Sequence, residues 1–298
     1  MHSPPAGTGR PDFFGLNLRY VAIVAVPPQF SNVLRMLWIS GATKVHLMVG
    51  DPVAQTKSPG ALTREFAARR VDAVCVPAHV AAADFDAFMA AAKGVRNVDG
   101  IVVSVPYRLA AAAHCDELSS RAGQLNGVNV MRRMADGRWA GDITDGTVLV
   151  AALRSRHFEP RGARALVVGA GSAGSAVALA LVQEKAAAVS ICDRNTKRRD
   201  ELIRLLGGRP ANVQSATPNP GGFTLVVNAT PAGMRVGDPL PVETSKLDPQ
   251  TFVVDLVPSP AVTALIAAAR ARTCQTLSGD QMAQPQAVGL ADFLLGTG

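Results

Sequence analysis

The residues from Ala165 to Gly174, ALVVGAGSAG, confine this chain to very few folds. A short run rich in β-branched residues meets three glycines, and the alanine-rich apolar stretch Ser175–Val182 follows. Such a sequence reads as a strand, a tight turn and a helix. Gly169, Gly171 and Gly174 fit the spacing G-x-G-x-x-G. The first supplies the turn, the second lets backbone approach a pyrophosphate, and the third lets helix pack on strand. With Ala170, Ser172 and Ala173 they form a loop whose free N–H groups, at the positive end of a helix, suit phosphate. Taken alone, the glycines also fit an ordinary strand–turn–helix. The run Val189–Asp193 decides between the two, because it reads as a second strand ending in an acid 22 residues after Gly171. A carboxylate about 20 residues on is where an adenosine ribose is held. The loop is therefore expected to bind a dinucleotide.

Strands and helices alternate around it. Before the loop, strands are expected at Val45–Val49, Val71–Pro77 and Val98–Val105, with helices at Pro59–Arg70, Ala81–Lys93 and from Tyr107 to His114. Gly127–Met131 and Arg138–Ile143 read as a hairpin across Ala135, Asp136 and Gly137. A helix from Gly146 to Ser155 precedes the basic segment Arg156–Arg164. After it come strands at Ala165–Gly169, Val189–Asp193, Leu225–Ala229 and Val253–Val257, and helices at Ala173–Glu184, Thr196–Leu206, Ala261–Arg272 and Met282–Leu295. Alternation of this kind implies α/β architecture with parallel sheets covered on both faces. Two domains with a cleft between them are the natural division of 298 residues. Residues 1–40 carry no visible chemistry. A strand over Leu16–Val26 and a helix over Gln29–Ile39 are expected there, and Met36 reads as a natural beginning with an extension before it.

Composition excludes several classes. No apolar run approaches the ~20 residues that cross a bilayer, and Pro4, Pro5, Gly7 and Gly9 occupy the place of a signal-peptide core. A cytoplasmic protein is expected. Cys75, Cys115, Cys192 and Cys274 form no C-x-x-C pair, and the histidines His2, His46, His79, His114 and His157 show no ligand spacing, so no metal is expected. The net charge of +7 is spread over scattered arginines without interleaved stacking aromatics, which argues for a surface attractive to small anions rather than nucleic acid. The partner expected is a small molecule, bound by a monomer or homodimer.

Seven local motifs then fall into one order, and with them the chain from about Lys44 onward resembles the shikimate/quinate dehydrogenase family. Gly50–Pro59 (GDPVAQTKSP) is similar to its first substrate motif, and Gly100–Arg108 (GIVVSVPYR) to the strand that carries its catalytic lysine. Gly127–Val130 (GVNV), Gly141–Gly146 (GDITDG), Val227–Met234 (VNATPAGM), Val254–Val257 (VDLV) and Gly279–Gln286 (GDQMAQPQ) follow in register. The resemblance implies an N-terminal α/β substrate domain, residues 41–143, completed by a C-terminal helix over 280–298, and a Rossmann-type dinucleotide-binding domain over 144–279. It implies that Thr56 and Ser58 hold a substrate carboxylate, that Ser104, Asn129 and Gln286 bond ring hydroxyls, and that Asp145 is the catalytic aspartate. Cofactor contacts would come from Gly169 to Gly174, from Asp193, Arg194 and Arg198, and from Asn228, Thr230, Leu256, Gly279 and Met282. Helix capping is the competing role for Thr56, Ser58 and Asp145, and a satisfied buried amide for Asn129 and Gln286.

Three positions depart from the family pattern: Arg108 stands where the family has lysine, Val102 where it has asparagine, and Pro258 where it has tyrosine. A guanidinium stays protonated at any working pH, so Arg108 can stabilise an oxygen but cannot act as base, which leaves that role to Asp145. Without the Val102 and Pro258 hydrogen bonds, the expected substrate is a carboxylated ring or hydroxy acid with fewer or rearranged hydroxyls than shikimate. Asp193 favours NAD, whereas Arg194 and Arg198 keep positions able to hold the 2′-phosphate of NADP; the carboxylate, acting at shorter range, tips the expectation to NAD. The expected activity is an NAD(P)-dependent alcohol dehydrogenase. The rival is a non-catalytic NAD-binding or metabolite-sensing homologue that has lost the lysine.

Overall fold

A computed structural model of the chain describes residues 39–54, 56–207 and 212–297. The strand and helix expected before Ile39, and the start at Met36, lie outside these residues. What is described holds two six-stranded sheets. Among the described residues, no helix is long and apolar enough to cross a membrane, and no three metal-ligating side chains gather.

The first sheet contains β1 (Lys44–Gly50), β2 (Ala73–His79), β3 (Val98–Val103), β4 (Glu117–Leu118), β5 (Val130–Arg133) and β6 (Trp139–Asp142), in the order β2-β1-β3-β5-β6-β4. β1 runs parallel to β2 and β3, whereas β5 runs antiparallel to β3 and β6. Alternation along the strands gives the sheet two apolar faces. On one, Met48, Val102 and Val130 meet Leu62 and Phe66 of α1 (Ser58–Ala68) and Leu290 and Leu294 of the final helix. On the other, Ile101, Val103, Met131 and Trp139 meet Phe85 and Met89 of α2 (Phe85–Gly94).

The second sheet is wholly parallel: β7 (Arg164–Val168), β8 (Ala188–Cys192), β9 (Asn212–Ser215), β10 (Leu225–Asn228), β11 (Phe252–Asp255) and β12 (Gln275–Ser278) lie in the order β12-β11-β10-β7-β8-β9. The chain leaves β7 in one direction and returns to its other side at β10, so the strand order reverses between these two. In doubly wound sheets the carboxyl ends at that point form the ligand crevice.

Two helices tie the sheets together. In α4 (Asp145–Ser155), a Cβ added to Gly146 would lie 2.1 Å from the Ala176 carbonyl oxygen of α5 (Ser172–Gln183), so the helices meet backbone to backbone. In α8 (Gly279–Leu295), a Cβ on Gly289 would lie 2.5 Å from Val148 of α4. α3 (Ser120–Leu125) precedes them in sequence, and α6 (Thr196–Leu206) and α7 (Ala264–Ala271) lie between them.

Two sequence expectations are corrected. The helix expected from Tyr107 is a turn followed by a 3-10 segment, Ala110–His114, because Tyr107 is pinned sideways: its ring stacks on Phe85 at 4.3 Å and its hydroxyl donates to the Val80 carbonyl. Only Ala111 and Ala112 of that segment are buried, too narrow a face for an α-helix. Strands β4, β9 and β12 were not expected from hydropathy. They are short and carry polar residues, and pairing with a neighbouring strand makes them.

His46 on β1 is 2% exposed, lies 4.6 Å from the Phe66 ring and has no partner for Nδ1. Burial, with Lys44 adding to it and Asp99 opposing, pushes its pKa from 6.5 to about 4. The unfolded chain therefore binds the proton more readily, and stability present above the unfolded value is lost as pH falls towards the folded one. Between pH 7 and 4 the protein should lose about 3 kcal/mol more than His46→Leu does, measured by urea unfolding at both pH values.

Candidate active site

The glycine loop joins β7 to α5 at the reversal point of the second sheet. Gly169 has φ +106°, and a Cβ there would lie 2.9 Å from the Ala229 carbonyl oxygen. A Cβ on Gly174 would lie 1.9 Å from the Gly169 oxygen. Both glycines are required by the protein's own packing. Gly171 is not: its φ of −73° and ψ of −178° suit any residue, and a Cβ would meet nothing within 4 Å. Bare backbone facing open space at a helix start is what a closely approaching phosphate needs. Beside it, the buried Ser172 hydroxyl has no hydrogen-bond partner. Ala170 and Ala173 complete the loop, and the Ala170 N–H donates to Asp193 Oδ2 at 2.6 Å.

Asp193 follows β8, and its side chain is only 6% exposed. It also accepts from Asn195 N–H at 2.8 Å and from Arg198 Nη2 at 3.1 and 3.0 Å. Burial opposes the charge, but these donors outweigh it and hold the carboxyl below the usual carboxylate range. Arg194 is exposed, with no hydrogen bond or ion pair among the described residues.

At the end of β10, Asn228 is spent internally. Its amide donates to Asp255 Oδ1 at 2.9 Å and to the Ala232 carbonyl at 3.1 Å, while its Oδ1 accepts from the Thr230 N–H and hydroxyl. Asn228 and Thr230 therefore shape the turn beside the crevice instead of presenting free side chains to it. The fully buried Asp255 was not singled out from sequence. Burial raises its pKa, although Thr263 and Asn228 donate to it at 2.5 and 2.9 Å. Its legible signal is an asparagine and an aspartate placed to align on neighbouring strands. Leu256 donates its N–H to the Asn228 carbonyl at 2.9 Å. A Cβ on Gly279 would lie 2.1 Å from the Val257 carbonyl, so α8 starts against the sheet, and Met282 is buried in the same core.

On the first sheet, Arg108 Nη1 donates to Asp145 Oδ2 at 2.6 Å, and Arg108 Nε to the Val103 carbonyl at 3.3 Å. The two side chains are 19% and 9% exposed. Asp145 makes no capping bond, so the competing role for it is not realised. Asn129 is buried: its Oδ1 accepts from the Thr144 N–H at 3.0 Å and its Nδ2 donates to Thr144 Oγ1 at 3.2 Å, which leaves one amide hydrogen. The Thr56 hydroxyl reaches only Met48 Sδ, at 3.5 Å. Ser58, half-buried at the start of α1, caps nothing. Ser104 lies against the Gly50 turn, where a Cβ would be 3.0 Å from its own. Lys57 reaches Asp280 at 3.3 Å, tying the Thr56–Ser58 segment to the first turn of α8. Gln286, one turn further along, is half-buried. The side chains of Ser58, Ser104 and Gln286 have no hydrogen-bond partner among the described residues. Val102 packs in the core with Met48, Leu62 and Val130.

The ion pair, the unpartnered polar side chains and the glycine crevice can be set beside known proteins. Residues 48–131 match the family described as shikimate dehydrogenase substrate binding domain, and residues 152–260 the one described as shikimate / quinate 5-dehydrogenase. A shikimate dehydrogenase (NADP(+)) of Rubrobacter xylanophilus is 34% identical over 84% of this chain and 90% of its own length. Quinate dehydrogenase from Corynebacterium glutamicum, solved in complex with NAD, is 28% identical with a TM-score of 0.76, covering 85% of this chain and 94% of the other. Shikimate 5-dehydrogenase of Thermus thermophilus, solved with NADP(H) and shikimate, gives 25% and 0.76 over 85% and 94% of the two chains. With both family domains matched in order and an extended relative above 30% identity, the chain belongs to the shikimate/quinate dehydrogenase family.

Proposed function

We propose that the chain is an NAD(P)-dependent oxidoreductase interconverting a ring alcohol and ketone on a carboxylated substrate. Residues 41–143 with 280–298 bind the substrate, and residues 144–279 bind the dinucleotide. The observation that carries this reading is the 2.6 Å pair of Arg108 with Asp145, at the family's lysine and aspartate positions. When bound, the dinucleotide supplies or accepts the hydride. Gly171 gives its phosphates room at the start of α5. Thr56 and Ser58 donate to the substrate carboxylate, while Ser104, Gln286 and the remaining Asn129 hydrogen meet its ring hydroxyls.

The pair divides the work. Arg108 holds a permanent positive charge beside the reacting oxygen and stabilises it as alkoxide develops. It cannot take the proton, so Asp145 takes or returns it. Val102 and Pro258 offer no hydrogen bond, and the substrate is a carboxylated ring or hydroxy acid less hydroxylated than shikimate, or hydroxylated elsewhere.

Both NAD and NADP are accepted in this reading. Asp193, whose carboxylate tips the sequence expectation to NAD, is neutralised by Arg198 and engaged by backbone N–H groups. Arg194 is free to meet the phosphate, and Arg198 can turn to it. Relatives named for NADP and solved with NAD support this breadth. Replacing Arg194 and Arg198 by alanine should raise KM for NADP about ten-fold or more and leave that for NAD within about two-fold, a difference of one charge-assisted contact.

Asp145→Asn and Arg108→Ala should each lower kcat by about a hundred-fold or more, whereas Arg108→Lys should retain turnover. Assays span shikimate, quinate and related hydroxy acids with both cofactors. A protein that binds dinucleotide but turns nothing over, in the wild type or in Arg108→Lys, would be the non-catalytic homologue instead.

Gly171→Ala should leave the melting temperature of the unliganded protein unchanged and weaken dinucleotide binding about ten-fold or more in a calorimetric titration. Gly174→Ala should lower the melting temperature itself, by the equivalent of about 1–3 kcal/mol.

A further inference from the structure

A groove of about 680 Å3 runs between α4 and α8 over the β5–β6 part of the first sheet. Thr144 lines it, but Arg108, Asp145, Ser58 and Gln286 do not, so it is separate from the candidate active site. We propose that this groove binds a small arene carboxylate, with Arg132 as the group that takes the carboxylate.

The argument starts from an unmatched cation. Arg132 on β5 projects to the α8 side of the sheet, with its guanidinium 5.4 Å from the Phe293 ring centroid. Its Nε is shielded from solvent and has no acceptor among the described residues. Among the described residues no nearby acid supplies one. Asp292, on the groove wall, is held by Arg69 at 2.7 Å. Asp142, on the floor, is held by Arg121, whose Nε donates at 2.8 Å, and by the Ser119 hydroxyl. Gly296 leaves the guanidinium its space, since a Cβ there would lie 2.2 Å from Nη1. A shielded donor without an acceptor is the exception in folded proteins. A planar carboxylate in the groove matches the guanidinium fork at its terminal nitrogens.

The rest of the groove selects the body of the ligand. Val148 and Ala151 on one side face Val288 and Phe293 on the other, and the Gly289–Val148 contact brings the helices together. A volume of this size, apolar walls and a few placed polar groups are the attributes of a small-molecule site. A flat arene fits between the two helices with its carboxylate on Arg132, and the engaged Arg121–Asp142 pair leaves no free charge to repel it.

The test uses the full chain, sodium benzoate as probe and benzamide as its uncharged counterpart, read by saturation-transfer NMR and calorimetry. Benzoate should bind at millimolar concentration or better, benzamide about ten-fold more weakly or not at all, and shikimate with NADP should not displace it. Arg132→Met should weaken benzoate about ten-fold. Ala151→Trp, at an exposed position, should fill the groove and abolish binding while the thermal unfolding profile stays that of the wild type. Absence of benzoate binding, equal affinity in both variants and the wild type, or displacement by shikimate overturns the proposal. Because binding is read directly, a chain without dehydrogenase activity would leave this result standing.

Discussion

The close approach of α4 to α5 decides where the chemistry can be. At Gly146 there is no room for a side chain above the Ala176 carbonyl, so the first turn of α4 is set against the first turns of α5. Asp145 immediately precedes that glycine, and α5 begins at the glycine loop. One backbone contact therefore places the carboxylate of the candidate site and the glycine loop in a common frame. Interiors packed at this density do not yield by small amounts, so a methyl group at the contact would move both together. The Gly289–Val148 contact extends the frame to α8, which brings Gln286 and the Lys57–Asp280 tie.

Legibility in the sequence followed how local each feature is. The strand–turn–helix around Gly169 was readable because conformation at Gly169 and close packing at Gly174 demand glycine within six residues. The pairing of Arg108 with Asp145 came from motif order, since nothing in composition brings positions 37 residues apart together. Strands β9 and β12 were hidden because their neighbours in the sheet stabilise them. The internal bonding of Asn228 and Thr230, for which the family resemblance implied cofactor contacts, was hidden in the same way. Their partners Asp255 and Ala232 show that the side chains build the crevice wall. Asp193 was legible as an acid at a strand end, but its neutralisation was not, because the N–H donors from Ala170 and Asn195 become visible only when the loop is folded.

Arginine in place of lysine changes more than basicity. A largely buried ion pair is retained only where each charge finds its partner, and removing one leaves the other desolvated and uncompensated. Arg108 also donates to the Val103 carbonyl, which anchors the guanidinium to the end of β3. The planar fork has less freedom than an ammonium on a flexible stem. The pair thus keeps a fixed charge at a fixed place, at the cost of a group able to exchange a proton. In the proposed reading proton transfer falls to Asp145, and the chemistry would run only where the reacting oxygen reaches that carboxylate.

The remaining departures share a direction. Val102 has joined the packed cluster of Met48, Leu62 and Val130, and Pro258 carries no donor, whereas Ser58, Ser104 and Gln286 keep polar groups without internal partners. The site has lost hydrogen bonds where a ring would rest and kept them where its substituents would emerge. A polyol would leave a hydroxyl unpaired against such a floor, which costs more than the bond itself contributes. Discrimination here works against the more hydroxylated ligand, and sites built on hydrogen bonds reject mismatches far more strongly than sites built on shape. In the proposed reading, two apolar substitutions and one change of cation would let the same fold and crevice serve a different ring.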